Sequence, residues 1–153
     1  AIGYYSHAEG DSTQAIGDAS HAEGKGTQAI GPNSHAEGSG AQSVGLASHA
    51  EGGQTTASGY YSHSEGNNTI ADQNFQHVSG VWNLTSPDAL FIVGNGNSSF
   101  RSNRFEVNYD DVNVYELLKI VNIPTFSGNT AAIAGGLSIG HVYRNGDDLK
   151  IVH

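Results

Sequence analysis

The sequence contains no cysteine and no methionine, and it has few basic residues. Without cysteine, the chain has neither a disulfide framework nor a thiolate metal site. Six Lys and Arg stand against fifteen Asp and Glu, which gives a formal net charge of −9. Because a phosphate backbone attracts the opposite sign of charge, we expect no nucleic-acid binding. No apolar run approaches the ~20 residues that a membrane helix needs, so we do not expect membrane insertion.

The first half of the chain is a repeat of 14 residues. Ser-His-Ala-Glu-Gly occurs at residues 6–10, 20–24, 34–38 and 48–52, and Ser-His-Ser-Glu-Gly follows at 62–66. Glycine stands at every seventh position from Gly3 to Gly66, with Ser or Thr three residues later (except at Ala41) and Ala or Ser five residues later. A short fixed period is typical of a solenoid, and the alternation within each unit predicts short strands with glycine at the turns.

The sequence therefore predicts an all-β chain in which residues 1–82 form a parallel β-roll of six 14-residue coils. The chain opens on Ala1-Ile2-Gly3, already in phase with the repeat, so we expect a fragment of a longer protein. Such a narrow coil has room inside for little beyond Ala, Ser and Thr, and these residues should point inward. One outward face then presents a structural ladder of His7, His21, His35, His49, His63 and His77 with Glu9, Glu23, Glu37, Glu51 and Glu65.

The opposite face presents Gln14, Gln28 and Gln42 beside an apolar ladder of Ile2, Ile16, Ile30 and Val44. A core of Ala methyl groups buries little apolar area, and soluble monomers usually avoid an exposed apolar patch. We therefore expect several rolls to pack along the Ile/Val ladder, with a homotrimer as the first choice. The pairs Tyr4-Tyr5 and Tyr60-Tyr61 fall at predicted corners, where contact with a neighbouring subunit is more usual than contact with a sugar.

His and Glu are suitable ligands for zinc or iron. A metal site gathers its ligands at one point, however, whereas here identical residues are spread along a line. We therefore expect a hydrogen-bonded His–Glu ladder, with no metal site and no cofactor. The neighbouring carboxylates should raise the His pKa, so that the resulting stability is lost as the pH rises through the folded pKa.

After the repeat, the bulky residues Phe75, Val78, Val81 and Trp82 are predicted to plug the last coil. Residues 83–124 form a predicted connector with a β-meander at 90–93, 104–109 and 112–115 and a further β pattern at 118–123. Residues 125–153 form a predicted C-terminal tip, with a short capped helix over 129–136 that its glycines end and a final hairpin whose turn is 145–148. Asp110-Asp111 and Asp147-Asp148 are adjacent in turns and do not face each other across a cleft, and no nucleophile motif is present. We expect no enzyme.

The strings Ala1-Ile2-Gly3, Ala15-Ile16-Gly17 and Ala29-Ile30-Gly31 resemble those of the YadA-like head in trimeric autotransporter adhesins. This resemblance implies a left-handed roll and a homotrimer. Variants of Ser-His-Ala-Glu-Gly are also similar to repeats of bacteriophage tail fibres. Residues 129–152, with Ala-Gly-Gly-Leu and Gly-x-x-Tyr-Arg, resemble the C-terminal ends of phage tail-fibre proteins, and residues 90–106 resemble their connectors.

We therefore expect a trimeric phage tail fibre of the virion that attaches to a host-cell receptor, either a glycan or an outer surface protein. A bacterial surface adhesin head is the alternative, and we expect such a head to be followed by a coiled-coil stalk and a membrane anchor. A purely structural shaft fits all the observations. The sequence shows no facing acid pair of the kind that a glycan-degrading tailspike enzyme needs. An ice-binding solenoid would need an outward Thr-rich face. The candidate receptor contacts are Tyr143, Arg144, Asn145, Asp147 and Asp148 of the tip and Phe100 and Arg101 of the connector.

Overall fold

The computed structural model describes residues 1–115, 124–125, 127–137, 142–145 and 148–151. The chain divides into two compact units, Ala1–Glu116 and Leu117–His153. No helix among the described residues is long and apolar enough to cross a membrane.

Strands of five and of two residues alternate along the repeat region. The longer strands begin at each His of the repeat, and the shorter strands begin seven residues later. The strands are β1 (His7–Asp11), β2 (Gln14–Ala15), β3 (His21–Lys25), β4 (Gln28–Ala29), β5 (His35–Ser39), β6 (Gln42–Ser43), β7 (His49–Gly53), β8 (Thr56–Ala57), β9 (His63–Asn67), β10 (Ile70–Ala71) and β11 (His77–Val81).

Each strand pairs in parallel with the strand 14 residues further on, so that His7 is opposite His21 and Gln14 is opposite Gln28. The longer strands form one sheet and the shorter strands a second, five-stranded sheet in the order β10-β8-β6-β4-β2. One 14-residue repeat is therefore one coil, and the predicted all-β parallel β-solenoid is confirmed. Its left-handed sense stays a prediction.

Small side chains fill the roll, as the alternation predicted. Ala15, Ala22, Ala29 and Ala36 are fully buried and form one continuous cluster. Several buried hydroxyl groups are bonded to the backbone of their own coil; the hydroxyls of Ser20, Ser48 and Ser62 donate to the carbonyls of Gly17, Gly45 and Gly59 at 2.6–2.7 Å. Hydroxyl groups thus fit the interior because the turn offers them a local acceptor.

The glycines have a different role from the one expected. The Gly residues of the Ser-His-Ala-Glu-Gly strings lie inside the longer strands, and a Cβ on Gly38 would overlap the carbonyl oxygen of Gly52 in the next coil. The corners instead place Ala19, Asn33 and Tyr61 in the left-handed region, at φ values of 54°, 57° and 57°. Glycine is therefore required mainly because neighbouring coils approach closely, and less because the chain turns.

The parallel sheet runs on past residue 82. Strand β12 (Ala89–Asn95) pairs in parallel with β11, and His77 lies opposite Phe91 at the same 14-residue offset. Strands β13 (Asn103–Asn108) and β14 (Val112–Val114) then add antiparallel to the same sheet, which confirms the predicted meander. The two domain boundaries drawn from the sequence, after residues 82 and 124, remain a prediction.

The predicted plug is only partly correct. Val78 is fully buried, but Phe75 and Val81 are 64% and 41% exposed. Phe75 occupies a left-handed corner position, with φ of 62°, and its ring stacks on that of Tyr61 instead of entering the roll. The last coil is filled by Gln76 and Ile92, and the Gln76 amide donates to the Ala89 carbonyl at 2.8 Å.

The second unit contains helix α1 (Asn129–Ala134) and an antiparallel hairpin of β15 (Val142–Asn145) and β16 (Asp148–Ile151). The helix ends at Gly135, whose N–H donates to the Ala131 carbonyl. The predicted short helix and hairpin are confirmed. The β pattern predicted for residues 118–123 lies outside the described residues.

Candidate functional site

The imidazole rings of the repeat form one continuous stack along the longer strands. From His21 to His63, successive ring centroids are 4.7 Å apart with interplanar angles of 4–11°. The spacing follows from the in-register pairing of parallel strands, which lie ~4.8 Å apart. At the ends of the stack, His7 is tilted by 29° on His21, and His77 by 33° on His63.

The carboxylates stand beside the rings without bonding to them. In each of the first four coils, the His Nε2 atom is 3.9 Å from the Glu Oε2 atom two residues on, as in His35 and Glu37. This distance is too long for a hydrogen bond. In the last coil, His77 lies 3.5 Å from Glu65 of the preceding coil. The predicted hydrogen-bonded ladder is therefore wrong, because the rings stack face to face and the carboxylates remain alongside.

The ring nitrogens on this face are shielded from solvent. The Nε2 atoms of five of the rings are buried and make no hydrogen bond within the part of the chain that the structure describes: His21, His35, His49, His63 and His77. The side chains themselves are about one-third exposed, with values of 35% for His35 and 34% for His49. The stack therefore holds a row of polar atoms that lack partners although they lie near the surface.

Burial and mutual repulsion set the pKa values in the middle of the stack. Burial lowers the pKa of His49 below 6.5, and the neighbouring His63 and His35 lower it further against the opposing effect of Glu51. Burial and His77 lower the pKa of His63 in the same way. The expectation that the Glu residues raise the His pKa is wrong here, because desolvation outweighs the attraction of carboxylates 3.9 Å away.

Two groups on this face bring together donor atoms suited to a metal ion. His49, Glu51 and His63 form one group, and Glu23, His35 and Glu37 form the other; within each, the donor atoms lie within 4.8 Å of one another. The repeat alone predicts a line of separate residues with no shared ligand point. The parallel register instead gathers ligands from two neighbouring coils at one point.

The opposite face presents the apolar ladder. Ile2 is 74% exposed and Val44 39% exposed, while Ile16 and Ile30 are half-buried. The backbone N–H of Ile16 donates to the Ala29 carbonyl at 2.8 Å, and that of Ile30 donates to the Ser43 carbonyl at 2.7 Å. The four side chains are thus held at matching positions of successive coils, as a partly exposed apolar strip.

Phe100 and Arg101 line a cleft of about 200 Å³ beside the last coil, together with Leu84, Ser102, Asn103, Glu106 and Tyr115. Phe100 is 69% exposed. Arg101 is held in place: its Nη1 donates to the carbonyls of Asn68 and Asn83 at 2.8 and 3.1 Å, and its guanidinium lies 5.1 Å from the Trp82 ring. Arg101 therefore fixes the loop to the roll, and the Phe100 side chain remains exposed beside it.

A buried carboxylate stands behind this cleft. Glu106 is 5% exposed and accepts hydrogen bonds from the Asn103 amide and from the Tyr115 hydroxyl, the latter at 3.0 Å. Desolvation and the bond to Glu106 raise the pKa of Tyr115. Sequence reasoning missed both residues, because each stands singly in a short strand region and no motif marks them.

The tip residues lie on the terminal hairpin. Tyr143 is paired with Lys150, Arg144 with Leu149, and Asn145 with Asp148. The exposed Asn145 donates from its amide to the Ser127 carbonyl at 3.1 Å. Asp147 lies outside the described residues. Asn145 and Asp148 close the hairpin as a strand pair, at the two ends of the predicted turn.

The YadA head domain repeat matches residues 8–34, 22–44 and 50–71. These ranges all fall within the roll and together cover less than half of the chain, so the match identifies the roll as one built of YadA-like repeats. Searches of curated proteins and of solved structures found no significant match.

Proposed function

We propose that this chain is the attachment part of a trimeric extracellular fibre and that it binds a receptor on a cell surface. The observation that carries the proposal is the roll of YadA-like repeats with an apolar Ile/Val ladder on its surface. A roll of this kind is a rigid support, and it presents neighbouring segments at a distance from the surface that bears them. We propose no catalytic activity.

The trimer is supported by the balance between the core and the surface. The interior consists largely of Ala, Ser and Thr, and burial of a methyl-sized group contributes only about 0.8 kcal/mol. Ile2, Ile16, Ile30 and Val44 offer larger apolar groups, which three rolls with parallel axes could bury together. Cyclic symmetry places the same strip of each chain at a common axis, so a trimer covers this strip without leaving an open edge.

Receptor contact is proposed for the loop of Phe100 and Arg101 and for the hairpin residues Tyr143, Arg144, Asn145, Asp147 and Asp148. Exposed aromatic side chains supply much of the binding energy at protein surfaces, and Phe100 is exposed on a loop that Arg101 holds rigid. Three copies of one weak site would raise the avidity without any strong single contact.

Two kinds of fibre fit this proposal. The match of the roll to YadA-like repeats favours a bacterial surface adhesin head. The resemblance of residues 129–152 to the C-terminal ends of tail-fibre proteins favours a bacteriophage tail fibre on the virion. In both cases the chain acts outside a cell and is joined to further fibre segments, and the two differ in which cell they recognise.

Binding of the fluorescently labelled protein to two cell panels tests the proposal: diverse bacterial strains, and animal cells with their extracellular matrix. We expect saturable binding to one panel, bacteria for a tail fibre and animal surfaces for an adhesin head. Replacing Phe100 by Ala should weaken this binding at least several-fold. Tyr109→Ala is the matched control, because this aromatic side chain is exposed to the same 69%.

If both substitutions reduce binding equally, the loop of Phe100 is not part of the receptor site. No binding to any cell or matrix, with the protein shown to be trimeric, would overturn the attachment function and leave the purely structural shaft.

A further inference from the structure

We propose that the His/Glu face of the roll is a zinc-binding site, with the ion held by His49, Glu51 and His63. The imidazoles come from the neighbouring strands β7 and β9, in which His49 lies opposite His63, and Glu51 lies two residues from His49 on the same face. The three donor atoms lie within 4.8 Å of one another. Two imidazoles and one carboxylate are a ligand set that zinc uses in proteins, with a water or other ligand in the fourth position.

Side-chain rotation brings the donors to zinc distances. Ligands ~2.1 Å from a tetrahedral zinc are roughly 3.4 Å apart, whereas the two ring centroids are 4.7 Å apart. Each ring nitrogen must therefore move by about 0.7 Å. The nitrogen lone pair lies in the plane of its ring, and the two planes are within 7° of parallel, so each ring must also turn by roughly 50° before both lone pairs point at one tetrahedral ion. The χ2 torsion of His is broad, so the rings can turn in this way, and ion binding replaces the stacking between them. The backbone need not move, because both strands are already fixed by the ladder.

The row of unpartnered nitrogens favours the binding of an ion. The Nε2 atoms of His49 and His63 are buried and make no hydrogen bond to any described residue. A buried polar atom without a partner typically costs about 1–3 kcal/mol. A zinc ion would give both nitrogens a partner, and it would neutralise the carboxylate of Glu51. Glu51 is one-third exposed, so its side chain can swing aside to admit the ion and then return as the third ligand.

A second, weaker position follows from the same register. Glu23, His35 and Glu37 also lie within 4.8 Å of one another, but this group offers one nitrogen and two carboxylates. Because imidazole favours zinc more strongly than carboxylate does, we expect the group around His49 to fill first. Repetition of the coil thus produces neighbouring sites of graded affinity from a single motif.

Isothermal titration of the full chain with Zn²⁺ at pH 7.5, after dialysis against chelator, tests the site. We expect one tighter ion per chain and a second, weaker one. The double substitution His49→Gln and His63→Gln should weaken the tighter binding at least about tenfold. Gln occupies the equivalent strand positions of the opposite face, so the strand should accept it. Glu51→Gln, which leaves the ring stack intact, should give a smaller loss.

Two controls separate a site from general attraction to an acidic protein. His7→Gln lies outside both groups and should leave the affinity unchanged. A millimolar excess of Mg²⁺, which prefers oxygen ligands, should not displace the zinc. The proposal is overturned if no zinc binds at 100-fold excess over the chain, if Mg²⁺ competes equally, or if the double variant binds as the unmodified chain does while its circular dichroism shows a folded roll.

Discussion

The two faces of the roll share one seven-residue unit but differ in what they present. The face of longer strands stacks His rings and Glu carboxylates, whereas the face of two-residue strands presents Gln and the apolar Ile/Val ladder. Inside the roll the two faces are alike, since Ala, Ser and Thr from both are buried. The interior therefore specifies the fold, and the outward positions are free to diverge, one face toward the proposed ion binding and the other toward the proposed association.

The largest expected effect comes from the glycine columns. Gly38 has φ of +106°, and a Cβ there would overlap the Gly52 carbonyl oxygen of the next coil. Because backbone atoms of two paired strands cannot move apart without breaking the ladder, Gly38→Ala should destabilise the roll by at least about 3 kcal/mol. Urea unfolding followed by circular dichroism measures this change.

Gly26→Ala is the matched control. Gly26 also has a positive φ, of +64°, but nothing lies within 4 Å of its Cβ position. Other coils already place Ser12, Gln54 and Asn68 at this corner with φ between 52° and 61°. The control should therefore cost about 1 kcal/mol. Equal losses from the two substitutions would mean that conformation, and not the approach of neighbouring coils, is what requires glycine.

The next largest effect concerns the oligomeric state, which should respond to changes on one face of the roll and not to changes on the other. The double substitution Ile16→Gln and Ile30→Gln removes the middle of the apolar ladder and should convert the proposed trimer to monomers, as measured by sedimentation equilibrium. The matched substitution of His21 and His35 by Gln changes the opposite face and should leave the trimer intact. Dissociation by the His substitutions, with the Ile variant still trimeric, would place the interface on the other face.

Much of the roll could be predicted from the sequence, because its period, its small inward residues and its glycines are all local patterns. The side-chain contacts on the His face could not, since the sequence gives the spacing of His35 and His49 but not whether a ring prefers another ring or a carboxylate. Strand β12 was expected as a strand but not as a further parallel neighbour of β11, because its residues lack the repeat motif. The hydrogen bond from the exposed Tyr115 to the buried Glu106 depends on contacts between strands that no motif marks.

The effect of pH on the stability of the roll should be smaller than the effect of the Ile substitutions, and it should come from the His face. Burial lowers the folded pKa of His49 and His63 below the unfolded value of 6.5. The unfolded chain therefore binds protons first as the pH falls, so stability is complete above 6.5 and is lost as the pH falls through the folded pKa. With chelator present, the melting temperature should be a few degrees lower at pH 5.5 than at pH 7.5.

The His49→Gln and His63→Gln double variant should show a smaller difference between the two pH values, while the Ile16→Gln and Ile30→Gln variant should keep the pH dependence of its own melting. A melting temperature that is higher at pH 5.5 in the unmodified chain would restore the earlier expectation, in which the carboxylates raise the His pKa.

The smallest effect concerns the Glu column. Glu23, Glu37 and Glu51 lie opposite one another in successive strands. Like charges at this spacing repel by ~1 kcal/mol per pair in water, and salt screens the repulsion. With chelator present, Glu37→Gln should therefore stabilise the roll by a few tenths of a kcal/mol at low salt, and the gain should vanish at 1 M salt. Gln42→Glu is the control, because it adds one charge to the uncharged column of the other face and should show almost no salt dependence. If Glu37→Gln destabilises the roll at every salt concentration, the carboxylate is bonded to its surroundings and does not merely stand beside the rings.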